Sequence, residues 1–282
     1  MIKYLAPAKI NLVLEVLGKR NDGYHEIRSL VQAIDLCDTL TFDLADSISL
    51  KCSEPSLETP DNLVIKAAEL LRQRGGQGKG ARIKLEKRIP WAAGLGGGSS
   101  DAAATLLALN VLWDLKMATS ELIDLGARLG SDVPFFIHCR AAVIEGRGEK
   151  VEPVPVSARS WFVLLVPDLP KMPDKTRRLY ACLDSGHFSD GHLVDTALKC
   201  WSTDMPVTPS LLFNVFDKVA FEAFPGLEAY WKRFEEAGAE NIHLAGSGPT
   251  LFTLFNSKIE TAKIYRNLRN KKIKAYSISS II

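Results

Sequence analysis

No stretch of this 282-residue chain is apolar for long enough to cross a bilayer. The N-terminal run MIKYLAPAKINLVLEV is short, is interrupted by Lys9, Asn11 and Glu15, and lacks the composition of a secretory or transit signal. It predicts a strand in a cytoplasmic protein with no membrane partner. An excess of charge is missing too. Thirty-five Lys and Arg against 33 Asp and Glu leave a formal net charge of +2, so nothing imposes a nucleic-acid footprint. The local basic clusters KLEKR and RNLRNKKIK read as solvated faces of a strand and a helix. Cysteine is sparse: Cys37, Cys52, Cys139, Cys182 and Cys200 are odd in number and far apart. That spacing excludes a zinc site and a disulfide framework and predicts reduced, mostly buried thiols. Internal repeats and low-complexity tracts are absent.

What is present is a chain long enough for one large or two medium domains with a real core. KINLVLEVLGKR and IRSLVQAIDLCDTLTFDLA read as strands on either side of the turn NDGYHE, and SISLKCS as a further short strand. TPDNLVIKAAELLRQRGG is a helix capped by Asp61 or Asn62 and ended by Gly75 and Gly76. GARIKLEKRIP alternates as a strand, and a helix from about Ser100 to Asp114 buries one face through Ala103, Leu106, Leu107, Val111 and Trp113. TSELIDLGARLG is a helix with Ser120 as N-cap and Gly130 as stop; SDVPFFIHCRAAVIEGRGEKVEPV reads as a loop and hairpin. Pro-rich edges around WFVLLVP mark a boundary near residue 155. PSLLFNVFDKVAFEAFPGLEAYWKRFEEAGA is helical apart from a break at Pro225. A strand–turn–strand, NIHLAGSGPTLFTLFNS, then leads to a last helix and strand. The reading is α+β in two domains, 1–155 and 156–282.

The segment IPWAAGLGGGSSDAAATLLALN carries the chemistry. Glycines without Cβ atoms let backbone N–H groups converge on an oxygen-rich anion, and a helix start adds its free N–H groups and dipole. A flexible linker is the plain alternative, but linkers do not sit between an alternating strand and a strongly patterned helix. No lysine follows the glycines, which excludes the P-loop pattern G-x-x-x-x-G-K-[ST]. Serine at position 99 excludes the dinucleotide pattern G-x-G-x-x-G. A third kind of phosphate loop is required.

PWAAGLGGGSSDAA is similar to the P-x-x-x-G-L-G-x-[GS]-S-[SA] loop of the GHMP kinases, the family of galactokinase, homoserine kinase and mevalonate kinase. APAKINLVLEV resembles that family's first motif and LAGSGPTLF its glycine-rich third, in the right order along most of the chain. The resemblance implies an N-terminal α/β domain with a left-handed βαβ unit and a ferredoxin-like α+β C-terminal domain. It further implies ATP as co-substrate, accompanied by Mg²⁺, with the phosphates held by Pro90, Trp91, Ala92, Ala93, Gly94, Leu95, Gly96, Gly97, Gly98, Ser99 and Ser100. KRNDGYHEI, GSDVPFF and FNVFDKVAFEAFPGLEAY resemble one branch of the family, whose members phosphorylate the 2-hydroxyl of CDP-linked methylerythritol on the non-mevalonate isoprenoid route.

Residue roles follow from the same resemblance. Asp132 matches the catalytic aspartate that accepts the hydroxyl proton; alone, it would read as a turn residue before a strand. Lys9 matches a catalytic lysine placed beside that carboxylate, where its charge steadies the transferring phosphoryl group. Asn11, on the same strand face as Lys9, either binds substrate or orients the pair. Tyr24 and His25 match the cytidine site, His25 through its backbone or its ring, with Tyr180 of KTRRLY as opposing ring. The segment before Tyr180 departs from the family's more usual Ser-Thr form. Gly246, Ser247 and Gly248 form the third-motif turn near the substrate. Asp101 either caps its helix or approaches the phosphates through Mg²⁺. The implied partner is a small molecule, on a monomer or weak homodimer. A homoserine- or phosphomevalonate-type kinase is the sibling reading. A non-catalytic nucleotide- or RNA-binding module is the other, although such a clamp needs no proton acceptor.

Overall fold

The computed structural model describes residues 1–138, 140–156, 158–172, 174–201, 207–255 and 257–282; Cys139 lies outside the described residues. Helices and sheets mix as an α+β fold requires. The chain forms two compact units, one from Met1–Ala8, Leu36–Trp91 and Gly96–Arg140, the other from Lys9–Asp35, Ala92–Leu95 and Ala141–Ile282. Compactness therefore does not follow a single cut in the chain. Two long strands, β1 (Ile2–Lys19) and β2 (His25–Ala45), each contribute a segment to both units.

In the first unit, Thr39–Ala45 of β2 pairs antiparallel with β4 (Gly80–Glu86), and β3 (Ser49–Cys52) runs parallel to β4. Helices α1 (Leu63–Gly75), α2 (Gly97–Leu112), α3 (Thr119–Leu129) and α4 (Val133–His138) complete it. Phe42, Leu71, Ile83, Leu106, Leu109 and Trp113 anchor its core, each large side chain contributing about 1.5–3 kcal/mol by leaving water. Asn62 caps α1 as expected, accepting the Val64 N–H at 2.9 Å.

Several local expectations are corrected here. Helix α2 starts at Gly97, three residues early, because Gly96 adopts a left-handed conformation (φ 71°) and turns the chain into the helix. Its burial is not a single face: Ser100 through Leu106 are all buried, small side chains letting neighbours close in on every side. Val111 is instead 70% exposed, while Trp113 lies past the helix end and buries its ring, Nε1 donating to the Gly80 carbonyl. Helix α3 is capped at Ala118, not Ser120, and the Glu121 carboxylate accepts the Ala118 N–H. The expected loop after Gly130 contains helix α4, so Asp132 precedes a helix and not a strand.

In the second unit, Ile27–Gln32 of β2 pairs antiparallel with β5 (Ala141–Gly146), which also pairs with β6 (Lys150–Pro153). Val13 and Leu14 of β1 meet the short strand β8 (Phe213–Asn214) in parallel. A separate antiparallel sheet has the order β11 (Ala275–Ser279), β7 (Trp161–Leu165), β10 (Leu251–Phe255), β9 (His243–Leu244). Its β7 is flanked on both sides, which is why Phe162–Leu165 is a continuous buried apolar run. Helices α5 (Lys175–Ala181), α6 (His192–Trp201), α7 (Ala220–Ala223), α8 (Leu227–Glu236) and α9 (Lys258–Asn270) surround these strands. The segment 209–236 is less helical than expected: Asn214 accepts the Phe216 N–H and sets a 3₁₀ turn before α7, and Gly226 begins α8. Of the described cysteines only Cys52 is fully buried; Cys37, Cys182 and Cys200 are half-buried.

Candidate active site

The polar residues that interrupt the N-terminal apolar run are all buried in β1, and each has a task. Glu15 accepts the Val194 N–H at 2.9 Å at the start of α6. Lys9 is 7% exposed and donates to Asn11 Oδ1 at 2.8 Å. Asn11 donates in turn to Ser29 Oγ at 2.8 Å, and Ser29 donates to the Val13 carbonyl at 2.6 Å. The two-residue period of the strand puts Lys9 and Asn11 on one face, and the relay fixes the amide that holds the ammonium.

Three separated stretches of sequence meet around this pair. The Lys9 N–H donates to the Leu95 carbonyl at 3.0 Å, which ties β1 to the glycine loop. Gly94 (φ 86°) lies so close to the Ala245–Gly248 turn that a Cβ on it would fall 2.0 Å from the Ala245 carbonyl oxygen. Gly246 (φ 55°) would place a Cβ 3.2 Å from both Lys9 Nζ and Asn11 Oδ1, and 2.8 Å from the Gly94 carbonyl. Bare backbone is therefore required at both glycines. Asn214, given no role by the motif FNVFDKVAFEAFPGLEAY that contains it, secures the turn by donating to the carbonyls of Leu244 and Gly246, each at 2.8 Å.

The rest of the glycine loop, with Pro90, Trp91 and Gly96 to Ser100, belongs to the first unit. The first N–H groups of α2 face no helical acceptor, the helical ladder beginning where Ser100 N–H donates to Gly96. Beside this helix start lies Lys87, its side chain only 5% exposed, 2.5 Å from Asp38 Oδ2 and 2.7 Å from Asp101 Oδ2. Asp38 also accepts the N–H groups of Arg88 and Ile89. A Cβ on Gly97 would come within 2.9 Å of Ile89 and 3.4 Å of Lys87 Nζ, so the glycine admits this cluster. The solvated-face reading of KLEKR is thus corrected at Lys87: its charge sits inside. Burial alone would lower the Lys87 ammonium, but the two carboxylates more than offset this and hold it above its ordinary value. Burial pushes the Asp101 carboxyl up to about 7 despite the attraction of Lys87. Asp101 is thus an ion-pair partner of Lys87, a role neither of its two expected readings contained. Asp132 is half-buried in the turn before α4, and Ser99 Oγ approaches that turn, 3.9 Å from where a Cβ on Gly130 would stand.

The residues expected at a cytidine site lie in the second unit. Tyr24 is 58% exposed, with the Arg147 guanidinium 4.8 Å above its ring. The His25 ring stacks on Tyr180 at 4.8 Å and 17°, and Tyr180 meets Phe216 edge-on at 5.0 Å. Burial, then the nearby Lys19, lowers the His25 imidazole. Tyr180 therefore packs on His25 itself, and Arg147 covers Tyr24.

Comparison with known proteins decides the family. The model of the GHMP kinases N terminal domain matches residues 62–140, and that of the GHMP kinases C terminal matches residues 203–274. A 4-diphosphocytidyl-2-C-methyl-D-erythritol kinase of Dehalococcoides mccartyi is 47% identical over 283 residues, covering 100% of this chain and 99% of its own. The chain belongs to the GHMP kinases. A kinase of the same name from Symbiobacterium thermophilum is 38% identical over 98% of both chains. Among solved structures, a 4-(cytidine 5'-diphospho)-2C-methyl-D-erythritol kinase superposes with a TM-score of 0.84 at 34% identity, covering 99% of each chain. A Cytophaga hutchinsonii homoserine kinase shares the GHMP kinase fold, with a TM-score of 0.74 at 19% identity over 100% of this chain and 94% of its own. Among the described residues no helix is long and apolar enough to cross a membrane.

Proposed function

We propose that this GHMP kinase transfers the γ-phosphoryl group of ATP to the 2-hydroxyl of 4-diphosphocytidyl-2-C-methyl-D-erythritol, in the non-mevalonate route to isoprenoid precursors. The observation that carries the reading is the meeting of Lys9 and Asn11 with Gly94 and the Gly246–Gly248 turn, in a chain 47% identical to kinases of that name. Asp132 takes the proton of the 2-hydroxyl as its oxygen attacks the γ-phosphorus; the bond to the β-phosphate oxygen breaks, leaving ADP and the phosphate ester. Lys9 supplies positive charge to the transferring group, held in place by Asn11. Backbone N–H groups of the 90–100 loop hold the ATP phosphates. Tyr24, His25 and Tyr180 receive the cytidine, whose ring stacks on aromatic faces.

Mg²⁺ accompanies ATP in this proposal, but Asp101 is a poor ligand for it. The Lys87 ammonium occupies one carboxylate oxygen at 2.7 Å, and burial drives the group toward its neutral form. The protein is proposed to act in the cytoplasm as a monomer or weak homodimer, without nucleic-acid or membrane partners. We propose a domain boundary near residue 155, a position that falls in the stretch between the two family-model matches. Cytidine 5'-diphosphate binding followed by NMR tests the substrate branch: shifts at Tyr24 and His25 are expected, and an unperturbed pair contradicts it.

A further inference from the structure

Lys175, the first residue of α5, occupies the stretch where this sequence departs from the family's Ser-Thr form. Its ammonium donates to the Gly248 carbonyl, and the neighbouring Thr176 Oγ1 lies 3.0 Å from Ser247 Oγ. The same turn approaches Lys9, since a Cβ on Gly246 would stand 3.2 Å from Lys9 Nζ. Two ammonium groups thus lie at one three-residue turn. Among the described residues no carboxylate forms an ion pair with Lys175, and the Gly248 carbonyl that accepts from it is neutral. Burial first, and repulsion from Lys9 second, lower the Lys175 ammonium to about 8. Both ammonium groups at the turn can donate to one anionic oxygen. An anion accepting from both gains two charge-assisted hydrogen bonds and offsets the repulsion that Lys9 exerts on Lys175.

We propose that Lys175 and Lys9 form a two-cation clamp at the Gly246–Gly248 turn for a phosphate oxygen, with the Ser247 and Thr176 hydroxyls as neutral donors. The inference rests on the kinase reading above and deepens it. The shared ligand chemistry is a phosphoryl oxygen, from either the γ-phosphate of ATP or the diphosphate of the cytidine substrate. Lys175 touches that oxygen through its ammonium, so the charge matters more than the stem.

Steady-state kinetics of Lys175→Met and Lys175→Arg with ATP and 4-diphosphocytidyl-2-C-methyl-D-erythritol test it. A charge-assisted hydrogen bond of about 1.5–3 kcal/mol corresponds to roughly a tenfold to hundredfold effect. The Met variant is expected to lose that much in kcat/KM, and the Arg variant to recover most of it. A loss carried by the KM of ATP assigns the γ-phosphate; a loss carried by the KM of the cytidine substrate assigns its diphosphate. All parameters within twofold of the parent, or equal damage in both variants, overturn the clamp. If the Met variant does not fold, side-chain NMR of the Lys175 ammonium in the parent replaces it. Its pKa is expected to rise when inorganic pyrophosphate is added, and an unchanged titration overturns the proposal. A parent that turns over no cytidine substrate refutes the kinase reading instead, so the two failures are distinct.

Discussion

Lys9 Nζ and Asn11 Oδ1 are 2.8 Å apart on one face of β1, and the same amide is anchored through Ser29. The ammonium is thereby aimed by a buried relay on a strand. Lys9→Met is expected to cut kcat by about a hundredfold or more, as loss of a charge that stabilises a transition state does. Asn11→Ala, which keeps the charge and loosens its aim, is expected to cost about tenfold. Both should leave thermal melting close to that of the parent. A Lys9→Met enzyme with parental kcat removes the lysine from the chemistry.

Gly94→Ala tests the meeting of the glycine loop with the third-motif turn. The new methyl would stand 2.0 Å from a backbone carbonyl at a φ of 86°, and strain at such a backbone position alone costs about 1–3 kcal/mol. Melting should fall by several degrees and turnover should fall with it. Ala at Gly78, also left-handed but in open space, serves as the comparison and should cost less. Equal melting of the two variants contradicts the close approach.

The Lys87–Asp101 pair predicts a pH dependence. The folded-state pKa of Asp101 is raised to about 7, so the native state holds a proton that the unfolded chain releases at about pH 4. Stability from this group is therefore full below about pH 4 and declines as pH rises toward 7. Asp101→Asn removes the titration, so parent minus variant stability, measured by urea unfolding, should fall across that window. A flat difference contradicts the buried carboxyl. Lys87→Met, which strands two carboxylates, is expected to destabilise by about 3–5 kcal/mol at neutral pH.

The parts of the site legible in the sequence are those whose signal is local. Glycines at 94 and 246 announce backbone that must approach closely, and the two-residue period of β1 pairs Lys9 with Asn11. Lys87 was hidden because its partners are 49 and 14 positions away, while its immediate neighbours alternate like an exposed strand. Helix α4 was hidden because Val133, Pro134 and Phe135 favour extended backbone on their own; burial of all three within the first unit overrides that preference. Lys175 has no periodic pattern, and only its departure from the family's form of that segment marked it. Helices α5 and α6 had no expected counterpart, and β8 lies in a stretch expected to be helical; other differences lay at ends such as Gly97 and Ala118, where one cap or one left-handed residue decides.

Asp132→Asn keeps the shape of the side chain and removes the proton acceptor. Turnover is expected to fall by at least about a hundredfold, while the dissociation constant for a non-hydrolysable ATP analogue changes by less than about threefold. Parental turnover would sink the assignment of Asp132 as base.

ATP-dependent turnover of the purified protein with three acceptors in parallel, 4-diphosphocytidyl-2-C-methyl-D-erythritol, homoserine and phosphomevalonate, decides the substrate. ADP formation is expected to be matched by phosphorylation of the cytidine substrate alone. Turnover confined to homoserine or phosphomevalonate would contradict it.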